Sequence, residues 1–280
     1  MREKSNLKAL RIIAIHPEFF SEYNDESGMH SSQPEPRNFS IPGTDINMDF
    51  PWKAEVEANS IALHNIRGCI TYNSWWGFST ADFMHELKVA DDNPNFIAHL
   101  IYIDSPGGEA FGLNEAHELI RNLRKPVVAV IDRYGCSAAY YIASAANKVY
   151  AVSPLSLIGS IGCMATLYDF SEYYQNQGIK EIEIYATKST LKNKTYNDAL
   201  QGKLKEYAEK FLDPFMELFE SNVRLTRTNI DESVFTGDSY YSADALRLGL
   251  IDSVMDLPSA INDLAKRAGY KEIANQLTLI

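Results

Sequence analysis

The chain has 280 residues, 45% of them hydrophobic, enough to bury a substantial core without covalent staples. Its net charge of −11, with no block of Lys or Arg, argues against a nucleic-acid surface, which needs clustered cations to neutralise phosphates. Three scattered cysteines, Cys69, Cys136 and Cys163, with no CxxC pair and no His-rich spacing, point away from a disulfide framework or a metal site, and no cofactor is expected.

Residues 1–20 are basic, then briefly apolar, and fit either a helix or a strand; no cleavage-site pattern follows, so no signal peptide is read there. Residues 21–50, rich in Ser, Asn, Asp, Pro and Gly, read as a loop or arm. The segment 60–70 is an expected strand, and Ser79 to Val89 has helical spacing. FIAHLIYID (96–104) is a dense apolar run, the pattern of a strand buried on both faces, and it ends in SPGG. A helix over 110–123, a buried strand over 126–132, a small-residue helix over 138–146 and a strand over 148–153 follow. This alternation predicts parallel βαβ units with right-handed crossovers, whose sites form beyond the carboxyl ends of the strands. Both SPGG and Gly135-Cys136-Ser137 fall at such ends. Further on, a helix and a short strand (EIEIYA) are expected over 164–186, then a polar lysine-rich loop, ATKSTLKNKTYN. A long helix over 198–227 and a turn, short helix and strand over 236–254 complete the chain. No run of apolar residues reaches membrane-spanning length. The expected organisation is an arm (1–55), a main domain (56–256) and a helical tail (257–280).

Ser137 lies at a strand-to-helix turn between small residues, where its hydroxyl projects at a helix start with free N–H groups. A serine there can be a nucleophile or a simple helix cap. Gly107-Gly108 permits close backbone approach and can aim an N–H at an oxyanion, or can be a plain Pro-Gly turn. The glycines of Leu157-Ile158-Gly159-Ser160-Ile161-Gly162 suit a strand edge against which another backbone lies, or a loop packed on the core.

Together, IDSPGG (103–108), SAAYYIASAANKVYAVS (137–153), IGSIG (158–162) and TGDSYYSADALRLGLID (236–252) resemble the S49 peptidases, the signal peptide peptidase A family and its phage relatives. The resemblance spans about residues 60–255. It implies a crotonase/Clp protease-like α/β fold, a serine peptidase with Ser137 as nucleophile and a downstream lysine as base, and assembly into a homo-oligomer. Where the family has Ser-Gly-Gly, this chain has Ser137-Ala138-Ala139, which adds methyl groups beside the cleft. All six histidines precede Ser137, so the downstream histidine of the related Clp-type triad is missing. His99 and His117 read as structural. The base candidates are Lys188, Lys192 and Lys194. Lys192 is favoured, with Thr190 or Asn193 to orient it, and Lys188 is the runner-up; any of them can also be an ordinary solvated lysine.

The expected oxyanion donors are the N–H groups of Gly108 and Ala138. The substrate polypeptide is expected as an added strand between Gly107, Glu109 and Ala110 on one side and Ile158, Gly159 and Ser160 on the other. Cys136 reads as a small buried hydrophobe; Trp75, Trp76 and Phe78 read as core or as pocket lining. The role implied is that of a phage prohead or capsid maturation protease in the host cytoplasm or prohead, with capsid, scaffold or portal proteins as partners and no nucleic acid or membrane. The alternatives are an inactive assembly or scaffold protein on the same fold, a Clp-like peptidase, and, with little support, an acyl-CoA enzyme.

Overall fold

The computed structural model describes residues 13–15, 39–40, 46–74 and 77–270. Its framework is a sheet of nine strands flanked by helices. Strands β1 (Ile13–Ile15), β2 (Phe39–Ser40), β3 (Asn47–Asp49) and β4 (Ser60–Arg67) precede helix α1 (Thr80–Asp92). Ser79 caps that helix, its hydroxyl accepting from the Asp82 N–H at 3.2 Å. There follow β5 (Phe96–Ser105), β6 (Gly107–Glu109), α2 (Leu113–Arg121), β7 (Val127–Cys136), α3 (Ala138–Ser144), β8 (Lys148–Ala151) and β9 (Leu157–Gly159). The second half comprises α4 (Ser171–Asn176), α5 (Lys194–Leu200), α6 (Leu204–Tyr207) and α7 (Asp213–Thr226), the last two joined by a π-helical turn. It closes with β10 (Ser239–Tyr241), α8 (Ser242–Arg247), β11 (Ser253–Val254) and α9 (Leu257–Arg267).

The main path of the sheet runs β10-β9-β7-β5-β4-β3-β2. Strands β3, β4, β5, β7 and β9 are parallel to their neighbours in that series, as the alternation of strands and helices predicts. Both faces are covered, which is why β5 and β7 are almost continuously apolar. Ile101, Ile103, Ala129 and Ile131 belong to the core on the side of α1, α2 and α3. The alternate residues Leu100, Val128 and Val130 pack with Ala260, Ile261 and Leu264 of α9.

Strand β7 changes partner along one edge. Val128–Ile131 pair with β8, while Tyr134–Cys136 pair with β9. Its other edge carries β5 throughout, with an irregularity before Ser105 comes opposite Gly135. The sheet therefore forks near residue 132, and Ser137 stands just past the end of the forking strand.

Some expectations need correction. Ile46 and Met48 are buried and β3 pairs with β4, so the sheet begins before residue 56. The tail helix α9 is part of the core rather than an appendage. EIEIYA forms no strand, although the alternation of residues 181–186 suits an edge. Of residues 1–20, only 13–15 are described, as a strand; Trp75 and Trp76 lie outside the described residues, and Phe78 packs against the core.

Candidate active site

Ser137 has φ 54° and ψ −120°, a conformation that L-residues adopt only under constraint. Two backbone bonds hold it there. Its N–H donates to Gly159 O at 2.7 Å, and its C=O accepts from the Tyr141 N–H at 2.9 Å. The side chain accepts no bond from the helix, so Ser137 is not a side-chain cap. Its hydroxyl instead lies 3.4 Å from Gly162 O, as a weak donor. The residue is 1% exposed.

The first residue of α3, Ala138, and the next, Ala139, are wholly buried in the core cluster. Their methyl groups therefore fill the interior, and the departure from Ser-Gly-Gly is absorbed by packing. Cys136 is buried too, with its thiol 3.4 Å from Leu157 O, in keeping with a small hydrophobe.

The SPGG loop reaches the same place because β6 packs against α3. Ser105 sets the turn: its hydroxyl donates to Gly68 O at 2.6 Å and accepts from the Gly107 N–H at 3.1 Å. Gly107 has φ 108°, which explains that glycine. Gly108 is required for a different reason. A Cβ on it would sit 1.9 Å from Ile70 O, so only hydrogen fits between the two backbones. Ile70 N–H donates to Gly107 O and Glu109 N–H donates to Ile70 O, each at 2.8 Å. The Glu109 carboxylate accepts from the Tyr72 N–H at 2.8 Å, and Ala110 is nearly buried where β6 ends. Ile70, a support for the whole loop, carries no mark in the sequence beyond being apolar.

Ile158 and Gly159 do not offer a free edge. Strand β9 is paired with β7 on one side and with β10 on the other, and the Ser160 N–H donates to Asp238 O at 2.7 Å. The glycine-rich run thus supports Ser137 through Gly159 O and Gly162 O, and the expectation of a substrate strand added along 158–160 does not fit this pairing.

Lys188 and Lys192 are exposed, and among the described residues no lysine hydrogen-bonds the Ser137 hydroxyl. Asn193, expected to steer Lys192, donates to the Tyr185 hydroxyl at 3.4 Å. Lys194 pairs with Asp198 at 2.5 Å, and the hydrogen bond and charge of that carboxylate hold its pKa above the ordinary lysine value, the opposite of the shift a general base needs.

Three of the described histidines, His64, His99 and His117, are buried. His64 and His99 are buried and share a 3.1 Å hydrogen bond; burial depresses both to about 3. His117 packs edge-on against Tyr141, with both ring nitrogens unpartnered and its pKa lowered to about 4 by burial.

The motif at 236–252 acts by holding the serine's helix. The Tyr140 hydroxyl donates to Leu250 O at 2.8 Å in the interior. Asp252 accepts from Lys148 at 2.7 Å, from the Val149 N–H at 2.9 Å and from Arg227 at 2.7 Å; these partners keep its pKa below the usual carboxylate value against the opposing effect of burial.

The model of peptidase family S49 matches residues 120–271, a stretch that includes Ser137, α3, β9 and the Leu250–Asp252 anchor. The chain belongs to peptidase family S49. Relatives include the chloroplastic serine protease SPPA of Arabidopsis thaliana, 29% identical over 70% of this chain and 30% of that protein. The head-tail preconnector protein GP5 of Enterobacteria phage P21 is 26% identical over 72% of this chain and 40% of its own length. Capsid assembly protease C of Escherichia phage lambda is 27% identical over 75% and 47%. The chain thus spans 30 to 47% of the length of these relatives. Among solved structures, a ClpP1 mutant from Listeria monocytogenes aligns with 71% of this chain and 94% of its own at 14% identity, with a TM-score of 0.43.

Proposed function

We propose that this S49 chain is a serine endopeptidase in which Ser137 attacks the peptide carbonyl. The observation that carries the reading is the backbone of Ser137: φ 54° is maintained by neighbouring bonds while the side chain is released from helix capping. Strain of this kind persists only where surrounding structure enforces it. In the reaction, the N–H groups of Gly108 and Ala138 donate to the oxyanion, the amine of the peptide leaves with the proton taken from Ser137, and water hydrolyses the acyl-enzyme.

The base in this reading is a lysine of the 188–192 loop, with Lys192 preferred and Lys188 second. A free lysine titrates near 10.4, so it must lose water to accept a proton at neutral pH. An exposed loop cannot do that. The same segment carries Ile182, Ile184 and Leu191, exposed to 69, 91 and 70%. Covering these side chains in a homo-oligomer would desolvate the loop and bring its lysine to a serine. The substrate would lie as a strand along Gly107–Glu109, with Ala110 at its end. Names among the relatives, a head-tail preconnector and a capsid assembly protease, support a role in phage capsid maturation, with capsid, scaffold or portal polypeptides as substrates inside the host cytoplasm or prohead.

The test is direct. Ser137→Ala should abolish both peptide cleavage and labelling by a fluorophosphonate, and Lys192→Ala should lower the labelling rate by about two to four orders of magnitude. Unchanged labelling of Ser137→Ala would end the assignment. An assembled oligomer that never labels would favour the non-catalytic scaffold.

A further inference from the structure

The edge of β6 that faces away from Ile70 is already occupied. Gly107 and Glu109 spend their backbone groups on Ile70. Hydrogen-bonding groups of successive strand residues point to opposite edges, so the N–H and C=O of Gly108 face the other way. There β1 runs antiparallel to β6, with Ile13 opposite Glu109, Ala14 opposite Gly108 and Ile15 opposite Gly107. Ala14 and Gly108 are therefore the hydrogen-bonded pair of this ladder, and the Gly108 N–H, given above to the oxyanion, faces the Ala14 carbonyl.

We propose that Ile13–Ile15 is a built-in competitor that holds the substrate strand of the cleft until a polypeptide displaces it. The inference rests on the reading of the cleft under Proposed function. It also names a substrate class: an extended apolar segment with a small residue in register with Gly108, since Ile-Ala-Ile is the sequence that lies there. Three residues make few ladder bonds, each individually weak once its exchange with water is counted. An incoming peptide can make the same bonds, so β1 competes through its tethered local concentration. Its removal accordingly lowers KM and leaves kcat unchanged.

The full chain carrying Ile13→Cys and Glu109→Cys tests this. In antiparallel pairing, residues 13 and 109 form a non-hydrogen-bonded pair with Cα atoms about 4.5 Å apart. A disulfide spans about 4.4–6.8 Å. Oxidation should form the 13–109 cross-link, seen by mass spectrometry, and remove the peptide cleavage and fluorophosphonate labelling that the Glu109→Cys single variant retains; reduction of the same sample should return both to the level of that single variant. In a second full-length variant, Ala14→Pro, which cannot donate to Gly108, KM for an extended apolar peptide should fall by about tenfold at constant kcat. A cross-linked protein that cleaves as fast as its reduced form overturns the proposal, as does failure to cross-link. If the reduced protein neither cleaves nor labels, the hydrolytic reading falls, and the cross-link yield alone decides whether β1 holds this edge.

Discussion

At Gly108 the demand for glycine comes from space, and at Gly107 it comes from torsion. The distinction predicts different outcomes. Gly108→Ala must push the loop off Ile70, so it should cost about 1–3 kcal/mol of stability in denaturant titration and remove serine labelling even in protein that remains folded. Buried His117 offers the opposite case. Neither ring nitrogen has a partner, and an orphaned buried polar group costs about 1–3 kcal/mol. His117→Leu should therefore leave the melting temperature unchanged or raise it at pH 7. Sequence pattern found Ser137 and both glycines because strand-end glycines and a serine between small residues are visible in one dimension. Ile70 was invisible: its contribution is a backbone N–H and C=O, which every residue but proline owns.

Among the elements, α3 is short, and its anchors come from elsewhere: β6, α7 and the Leu250 carbonyl. Tyr140→Phe leaves that carbonyl without its buried donor. We expect a loss of about 1–3 kcal/mol in stability, with serine labelling slowed in the folded protein because the helix that follows Ser137 is no longer tied at its first turn. The strands and helices from 60 to 153 followed from hydrophobic period and strand length. The segment 164–193 did not. EIEIYA has the alternation of a strand, but a strand needs a backbone ladder, and among the described residues this segment joins no sheet. Period describes what a segment can do, while pairing depends on what lies next to it. The same limit applied to IGSIG, where both edges of β9 are taken by β7 and β10.

At the scale of the molecule, the three buried histidines among the described residues shape the acid response. His64 and His99 titrate near 3 and His117 near 4 in the folded chain, against an ordinary value of about 6.5. Between those values the unfolded chain binds more protons, so each contributes stability that is full above pH 6.5 and shrinks as the pH falls. Glu86 runs the other way. Burial and Asp82 raise it to about 7, so its contribution is lost as pH rises through that value. Three histidines outweigh one carboxyl. The urea midpoint should fall from pH 6.5 to pH 4.5, and less so in His117→Leu. Assembly belongs to this scale as well. Replacing Ile182 and Ile184 by Ser should shift sedimentation toward smaller species while leaving the urea midpoint within about 0.5 kcal/mol, because those side chains touch water in the single chain.

The bond between Tyr140 and Leu250 joins residues 110 positions apart. Polypeptides are made at about 5–20 residues per second, so roughly 5–20 seconds separate the synthesis of the serine's helix from that of its anchor. During that interval the ribosome carries a nascent chain whose Ser137 turn lacks the C-terminal segment that ties it down. The turn that carries Ser137 is thus tied down only after residue 250 has been made.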